Sequence, residues 1–392
     1  MAEICQGNGA TQLMPDVRYK YGMYVYRNRN FVNKLDVLDY ALSVGDTNPV
    51  IRYYFHDHVY CKLTKEPDVS LNQLYVNRAK QLRDTYDYII LLYSGGSDSH
   101  EILNVFLNND IFLDEVQNLH PKKLTDGKID TSKLEQYGND VLAEHVVTAL
   151  PALKRLSELS PKTKIRILDT TDSFFDIGDN YISTYYNHFF NTFYSTQMNT
   201  AILDKENVEL ATKKKVCLLW GNDKPYVGID LHNNFFYGFH DVQRQFSPWL
   251  RDNNRSPIHF ECFFWSIDAP LIQVKQSHAI MKRIQMDLDV GNRYSYNLFR
   301  SKNGVDQNMW MRDVIYQYWD NNTYQAKANV RDWYTMDQNI IKFVPRIRNV
   351  TEDKKNFYTE KYKSLGGSVD LSKPGLGMYR TQTYNIGKVE LM

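Results

Sequence analysis

The sequence predicts an α/β protein: a parallel sheet with flanking helices, preceded by a small β-rich N-terminal lobe and followed by a mostly helical C-terminal part. From Asp87 onward, short apolar runs alternate with helical periods, which is typical of strands that crossover helices bury on both faces. Beyond Arg244 these strand signals fade, and apolar residues recur at steps of three and four. A chain of 392 residues is long enough for two or three lobes.

The N-terminal lobe is predicted over residues 1–86. Its segments YKYGMYVYRN and VIRYYFHDHVYCKL are rich in Tyr, Val and Ile with partial alternation, which favours short strands and turns. His56 and His58 would share one face of such a strand and could bind a metal together, but no third ligand is evident in the sequence.

The α/β domain is predicted over residues 87–245. We expect its second long helix to be interrupted near Pro151, because proline cannot donate a backbone hydrogen bond. The predicted strands are 88–93, 111–116, 164–169 and 215–220, and the predicted helices are 100–108, 139–159 and 180–200.

The C-terminal region is predicted over residues 246–392. QVKQSHAIMKRIQM and DQNMWMRDVIYQYW carry apolar residues at helical spacing, and the tail GGSVDLSKPGLG is predicted to be a loop.

Composition restricts the class of partner and the compartment. Lys and Arg total 47 against 46 Asp and Glu, so the net charge of +1 does not demand a nucleic acid or another polyanion. The four cysteines are far apart and form no CxxC pair, which argues against a zinc knuckle or a disulfide scaffold. The longest clear apolar run is too short to cross a bilayer, so we expect a cytoplasmic protein with no membrane partner. The Asn- and Tyr-rich composition favours a phage origin, which would place the protein in a bacterium or an infected host cell.

The most informative segment is YIILLYSGGSDSHEILNVFLN, in which a buried strand runs through a Gly- and Ser-rich turn into an amphipathic helix. Gly95 and Gly96 allow the backbone N–H groups of the turn to converge on a ligand. Hydroxyl donors lie beside the helix N-terminus, where unpaired N–H groups favour an anion; they are Ser94, Ser97 and Ser99. Asp98 suits such a site when Mg²⁺ joins its carboxylate to phosphate oxygens.

This turn resembles the SGGxDS loop of the ATP pyrophosphatases, a superfamily that includes asparagine, GMP, NAD and argininosuccinate synthetases and several tRNA-modifying enzymes. The resemblance implies a PP-loop, Rossmann-like fold that cleaves ATP between its α and β phosphates and forms an adenylate. It implies that pyrophosphate and Mg²⁺ are held by residues 94–99, with Asp98 as a catalytic residue and metal ligand. Adenine would lie against the end of the second strand, near Leu113 to Val116.

Two further segments resemble asparagine synthetase. The stretch KKKVCLLWGNDKP is similar to the family's strand that ends in a Gly-Glu-Gly-x-Asp-Glu loop, with Gly221 as a nucleotide-binding residue and Asp223 as a catalytic residue and metal ligand. Glu261, Asp268 and Leu271 keep the spacing of another family segment.

The chain departs from the asparagine synthetase pattern at two points. The glutamate that assists ammonia attack in that family is either replaced by Asn222 or missing, so the sequence leaves the nucleophile open between ammonia and another amine. A glutaminase domain with an exposed N-terminal cysteine is not expected, because Cys5 lies inside the first lobe.

Lys224 is a candidate from chemistry alone. A lysine at the carboxyl edge of a parallel strand lies where open α/β sheets bind ligands, and it could neutralise pyrophosphate or the adenylate phosphate. The alternative is a solvated loop cation paired with Asp223. Lys327 could correspond to a downstream synthetase lysine or be a surface residue of a helix. A weaker acidic cluster after the third strand could bind an amine or Mg²⁺, or begin a helix; it comprises Asp169, Asp172, Asp176 and Asp179.

Three functions follow from these residues. The first is an ATP-dependent, AMP-forming amide or amidine ligase that acts on an unidentified small-molecule acceptor. The second is a nucleic-acid base or tRNA modification enzyme that uses the same adenylation, with Tyr residues of the first lobe stacking bases. The third is a non-catalytic nucleotide-binding protein or scaffold, which the altered loop at residues 221–225 would allow.

Overall fold

The structure is a computed structural model of the chain. The residues that it describes are 22–31, 34–46, 49–54, 63–120, 145–170, 201, 204–221, 224–240, 258–266, 268–301, 304–319 and 380–391.

A five-stranded parallel sheet forms the centre of the described structure. Apolar side chains bury its middle strands on both faces, as the runs YIILL and VCLL require. The strand order is β10-β7-β4-β5-β6, and every neighbouring pair is parallel. The strands are β4 (Tyr88–Leu92), β5 (Glu115–His120), β6 (Lys164–Asp169), β7 (Val216–Trp220) and β10 (Ile258–Cys262).

The chain reverses its direction of travel across the sheet between β4 and β7. It starts at β4 in the middle, proceeds to β5 and β6 on one side, and then returns to β7 on the other side of β4. Ligands of open α/β sheets bind outside the carboxyl ends of the strands at such a switch point. The loops that leave β4 and β7 are therefore the expected position of a ligand-binding site.

Three of the four predicted strands are confirmed, whereas the prediction for the second strand was wrong. The predicted run 111–116 overlaps β5 only at Glu115 and Val116, because β5 continues through polar residues. Gln117 is fully buried, and its amide donates to Glu115 and to Asn207 at 2.7 and 2.8 Å. These internal partners make a polar strand stable in the core.

The fifth strand, β10, was not predicted. It pairs with β7 along its whole length, from Ile258 opposite Val216 to Cys262 opposite Trp220. The parallel sheet thus extends past residue 245. Buried residues on both sides of the predicted boundaries, 86/87 and 245/246, belong to one continuous apolar core.

Helices pack around the sheet, and several begin at recognisable caps. Ser70 accepts the Gln73 N–H at the start of α2, and Asp204 accepts the Asn207 N–H at the start of α5. Pro151 lies in the first turn of α4, where its missing N–H costs little, directly after a π-helical turn (His145–Ala149). The helices are α1 (Lys34–Ser43), α2 (Leu71–Thr85), α3 (Ser97–Leu107), α4 (Leu150–Leu159), α5 (Lys205–Ala211), α6 (Leu271–Asp289), α7 (Tyr294–Ser301) and α8 (Gly304–Ile315).

Two small antiparallel sheets complete the described part of the structure. One belongs to the N-terminal region, where its tyrosines form a separate apolar cluster with α1. The other joins a hairpin to a strand near the C-terminus. Their strands are β1 (Met23–Tyr26), β2 (Arg29–Phe31) and β3 (Arg52–Tyr54), and β8 (Tyr226–Ile229), β9 (Asn234–Gly238) and β11 (Tyr384–Lys388).

The mainly helical C-terminal prediction is confirmed for α6 and α8, while the predicted tail loop and the 180–200 helix lie outside the described residues. None of the described helices has the length and apolar character that a membrane span requires.

Candidate functional site

The SGGSDS loop (residues 94–99) lies at the switch point of the sheet. It leaves β4 directly and leads into α3, whose first turn contains Asp98. The loop that leaves β7 approaches it from the neighbouring strand. A β-carbon added to Gly221 would lie 2.9 Å from both the Asp98 carbonyl carbon and the Ser99 nitrogen. The two sequence segments singled out above are thus in contact.

Gly95 has the left-handed backbone for which glycine is favoured, with φ at +89°. Its environment leaves no room for a side chain, since an added β-carbon would lie 2.4 Å from the Thr148 hydroxyl oxygen and 2.9 Å from the Ala149 nitrogen. The π-helical turn therefore packs directly against the loop. This packing holds the backbone N–H groups at the α3 N-terminus in a fixed position.

Two of the three serine hydroxyls of the loop, those of Ser94 and Ser99, form hydrogen bonds with its backbone. The Gly96 N–H donates to Ser94 Oγ at 3.1 Å, and Ser99 Oγ donates to the Gly96 carbonyl at 3.1 Å. Gly96 occupies the N-cap position without a capping side chain. The first N–H groups of α3 thus keep the anion-binding character that helix N-termini have.

Asp98 is joined to two residues that lie far away in the sequence. Its Oδ1 accepts hydrogen bonds from Lys224 Nζ at 2.6 Å and from the Tyr316 hydroxyl at 2.5 Å. Burial raises the pKa of Asp98, but the charge of Lys224 and these two hydrogen bonds outweigh it, so the pKa lies below its usual range. Asp98 is therefore an ionised carboxylate at neutral pH, with its side chain 25% exposed.

Lys224 is not a solvated cation. Its side chain is 8% exposed, and its ammonium lies 5.3 Å from the centre of the Tyr316 ring as well as on Asp98. The interpretation as a solvent-exposed loop lysine was therefore wrong. Asp223, the suggested partner in that interpretation and a predicted metal ligand, lies outside the described residues together with Asn222.

Further positive charge surrounds the start of α3. Arg312 of α8 lowers the pKa of Asp98 through its charge, and its guanidinium lies 6.0 Å from the Trp319 ring. His100 remains uncharged at neutral pH, because burial and the charge of Arg155 lower its pKa to about 4. An anion at this helix start would meet the positive charges of Lys224 and Arg312, which come from two distant parts of the chain.

Glu101 anchors the chain segment that carries Tyr316. Its carboxylate is fully buried and accepts the backbone N–H groups of Gln317 and Tyr318 at 3.3 and 3.0 Å. Burial raises the pKa of Glu101 to about 7, although the two backbone hydrogen bonds lower it. Two acids one turn apart on α3, Asp98 and Glu101, thus hold residues 316–318 over the loop.

The predicted adenine position at Leu113 to Val116 does not fit the strand that the structure shows. These residues lie at the amino end of β5, whereas the SGGSDS loop lies at the carboxyl edge of the sheet. The carboxyl end of β5 is His120, whose ring stacks on His145 at 3.6 Å. Nearby on β5, the buried Oδ1 of Asn118 accepts no hydrogen bond from any described residue.

The contacts of Glu261 indicate that it stabilises the fold. It lies in β10, is 2% exposed, and forms an ion pair with the buried Arg78 at 2.9 Å while accepting the Tyr86 hydroxyl. Asp268 and Leu271 are largely exposed near the start of α6. None of these three residues is shown at the Asp98 site; the segment reaches it through Phe264, whose ring packs 5.2 Å from the ring of Tyr316.

Several remaining candidates are not part of the described site. Asp169 is exposed at the carboxyl end of β6. The residues that lie outside the described part of the chain are His56, His58, Asp172, Asp176, Asp179 and Lys327. Within the described ranges, no group of three or more His, Cys, Asp or Glu side chains is arranged to hold a metal ion.

Sequence reasoning missed Tyr316, Arg312, Glu101 and Thr148. Tyr316 and Arg312 come from the C-terminal helical part, where no local motif marks them. Glu101 has a recognisable signal, because it is an acidic residue among buried neighbours in α3. No protein-family model matches the chain, and no curated protein matches it.

Proposed function

We propose that this protein is an AMP-forming ligase of the ATP pyrophosphatase type, with a PP-loop fold, and that it activates an unidentified acceptor as an adenylate. One observation carries the proposal: the SGGSDS loop lies at the sheet's switch point with Asp98 and the buried Lys224 in contact. This is the geometry expected if the loop binds the pyrophosphate part of ATP.

The donor set at the loop is compatible with Mg²⁺. This ion binds proteins through one or two carboxylates and takes most of its other ligands from water and substrate phosphates, so Asp98 with ATP would suffice. Asp223 is the candidate for a second carboxylate. A bound Mg²⁺ would neutralise the charge that develops on the leaving pyrophosphate.

The proposed reaction has two steps. A carboxylate or carbonyl oxygen of the acceptor forms a bond to the α phosphorus, and the bond from that phosphorus to the bridging oxygen breaks, so pyrophosphate leaves with the electron pair. An amine then attacks the activated carbon, and AMP leaves. The α3 N–H groups and Lys224 would stabilise the departing pyrophosphate from fixed positions. Adenine would lie at the carboxyl end of β5, near Asn118 and His120, rather than near Leu113 to Val116.

Product analysis tests this proposal. The protein with ATP, Mg²⁺ and a panel of carboxylates, nucleosides and amines is expected to release AMP and pyrophosphate. Asp98→Asn should reduce this release by about 100-fold or more, because a charged group at the reacting phosphates is lost. Asp84→Asn, on the exposed face of α2, is the matched control and should retain full activity.

Two outcomes would contradict the proposal. Release of ADP and phosphate would exclude attack at the α phosphorus. Tight ATP binding without AMP formation from any member of the panel would indicate a nucleotide-binding scaffold.

A further inference from the structure

The two oxygens of Asp98 have different surroundings. Oδ1 accepts both the Lys224 ammonium and the Tyr316 hydroxyl. Oδ2 accepts no hydrogen bond from any residue in the described part of the chain. Two donors on one oxygen fix the rotation of the carboxylate, and the other oxygen remains available.

Tyr316 is itself held firmly, so it can fix another side chain. Its ring is buried and packs at 5.2 Å from the ring of Phe264. Its backbone is secured on both sides, since Tyr75 donates its hydroxyl to the Ile315 carbonyl at 2.9 Å and Glu101 accepts the N–H groups of residues 317 and 318. The hydroxyl of Tyr316 therefore has a defined position relative to α3.

We infer that Tyr316 is a positioning residue of the nucleotide site: its hydroxyl holds Asp98 so that Oδ2 is presented to the divalent cation of the bound nucleotide. Glu101 acts one step further out, because it fixes the segment that carries Tyr316. This inference rests on the proposed function, in which Asp98 binds the metal. Partners that orient a metal ligand commonly change metal affinity by 10- to 100-fold when they are removed.

Tyr316→Phe tests the inference, because it removes the hydroxyl and keeps the ring against Phe264 and Lys224. The probe is Mn²⁺, titrated by electron paramagnetic resonance in the presence of an ATP analogue with a methylene group between its α and β phosphorus atoms. We expect the Mn²⁺ dissociation constant to rise by about 10-fold. The affinity for the same analogue in EDTA should change by less than about twofold, since the loop N–H groups remain.

Tyr237→Phe is the matched control. Tyr237 is also fully buried, and its hydroxyl donates to the Leu63 carbonyl at 2.7 Å. It lies in β9 of a small antiparallel sheet, whereas Asp98 follows β4 of the parallel sheet. It should lose comparable stability without a change in Mn²⁺ affinity. Equal Mn²⁺ affinities of wild type and Tyr316→Phe would overturn the inference, as would a wild type that binds no Mn²⁺ with the analogue.

A double-mutant cycle tests the part played by Glu101. Glu101→Ala should weaken Mn²⁺ binding by a similar factor, and the double variant with Tyr316→Phe should be no weaker than the worse single variant, because both act through one contact. Full additivity would overturn the role of Glu101. These titrations do not require turnover, so a wild type that binds Mn²⁺ with the analogue but forms no AMP would refute the proposed function alone.

Discussion

At the level of single residues, the site depends on two backbone positions that exclude side chains. Gly95 combines a left-handed backbone with contact to Thr148, and Gly221 lies against the backbone of Asp98 and Ser99. The first glycine brings the π-helical turn onto the loop, and the second brings the β7 loop onto α3. The convergence of three chain segments at Asp98 thus rests on the absence of two β-carbons.

Gly95→Ala should be much more destabilising than Gly45→Ala. Both glycines have a positive φ, so an alanine at either position is strained by about 1–2 kcal/mol. Only Gly95 adds a collision with backbone and side-chain atoms, whereas no atom of a described residue lies within 4 Å of an added β-carbon at Gly45. Overpacking of this kind typically costs a further ~1–3 kcal/mol, which urea unfolding of the two variants would reveal as a difference. Equal unfolding free energies would show that Thr148 does not pack as described.

At the level of secondary-structure elements, α3 connects the loop to the C-terminal part of the molecule. Its residues Asp98, His100 and Glu101 all contact the segment after α8, through Tyr316, Trp319 and two backbone N–H groups. The helix that begins at the proposed phosphate site therefore also anchors a distant segment.

Glu101 should make stability depend on pH in a recognisable direction. Its pKa is raised from 4.5 to about 7 in the folded protein, so its contribution is fully present below pH 4.5 and is lost as pH rises through 7. The difference of about 2.5 pKa units corresponds to roughly 3 kcal/mol. Tyr75 and Tyr316, which face Glu101, remain neutral over this range, because burial raises the pKa of each well above its ordinary value of 10.0.

Unfolding of wild type and Glu101→Gln between pH 4.5 and 8 would measure this effect. We expect wild type to lose about 3 kcal/mol relative to the variant over that range, because glutamine does not ionise. Glu158→Gln, on the exposed side of α4, should follow the wild-type profile. Parallel profiles for wild type and Glu101→Gln would contradict the buried, raised-pKa carboxyl.

The elements differ in how well the sequence predicts them, for physical reasons. β4, β6 and β7 coincide with the predicted runs, and local apolar density was sufficient to find β4 and β7. β5 was misplaced because its buried polar residues are satisfied by partners distant in sequence, such as Asn207. The loop at 94–99 could be predicted because its residues form a local sequence motif. Tyr316 could not, because only the tertiary fold brings it to Asp98.

At the level of the whole molecule, α2 ties the edge of the sheet to the C-terminal helices. Tyr75 of α2 accepts a hydrogen bond from Gln276 of α6 and donates to the end of α8, while Arg78 forms its buried ion pair with Glu261 of β10. Because α2 lies in the same apolar core as the parallel sheet, the residues that hold Asp98 and those that hold β10 share one framework.

Variants of Glu261 distinguish a role in the framework of the fold from a role in the nucleotide site. Glu261→Ala would leave the buried guanidinium of Arg78 without its carboxylate, and breaking one side of such a pair typically costs about 3–5 kcal/mol. The double variant Arg78→Met with Glu261→Met removes both charges and should be more stable than Glu261→Ala, since no uncompensated charge stays buried. Urea unfolding measures both effects, and Mn²⁺ binding with the ATP analogue should be unchanged in the folded double variant. A double variant that folds stably but binds no metal with nucleotide would instead assign Glu261 to the site, because removal of a purely structural ion pair leaves Asp98, Lys224 and Tyr316 in place.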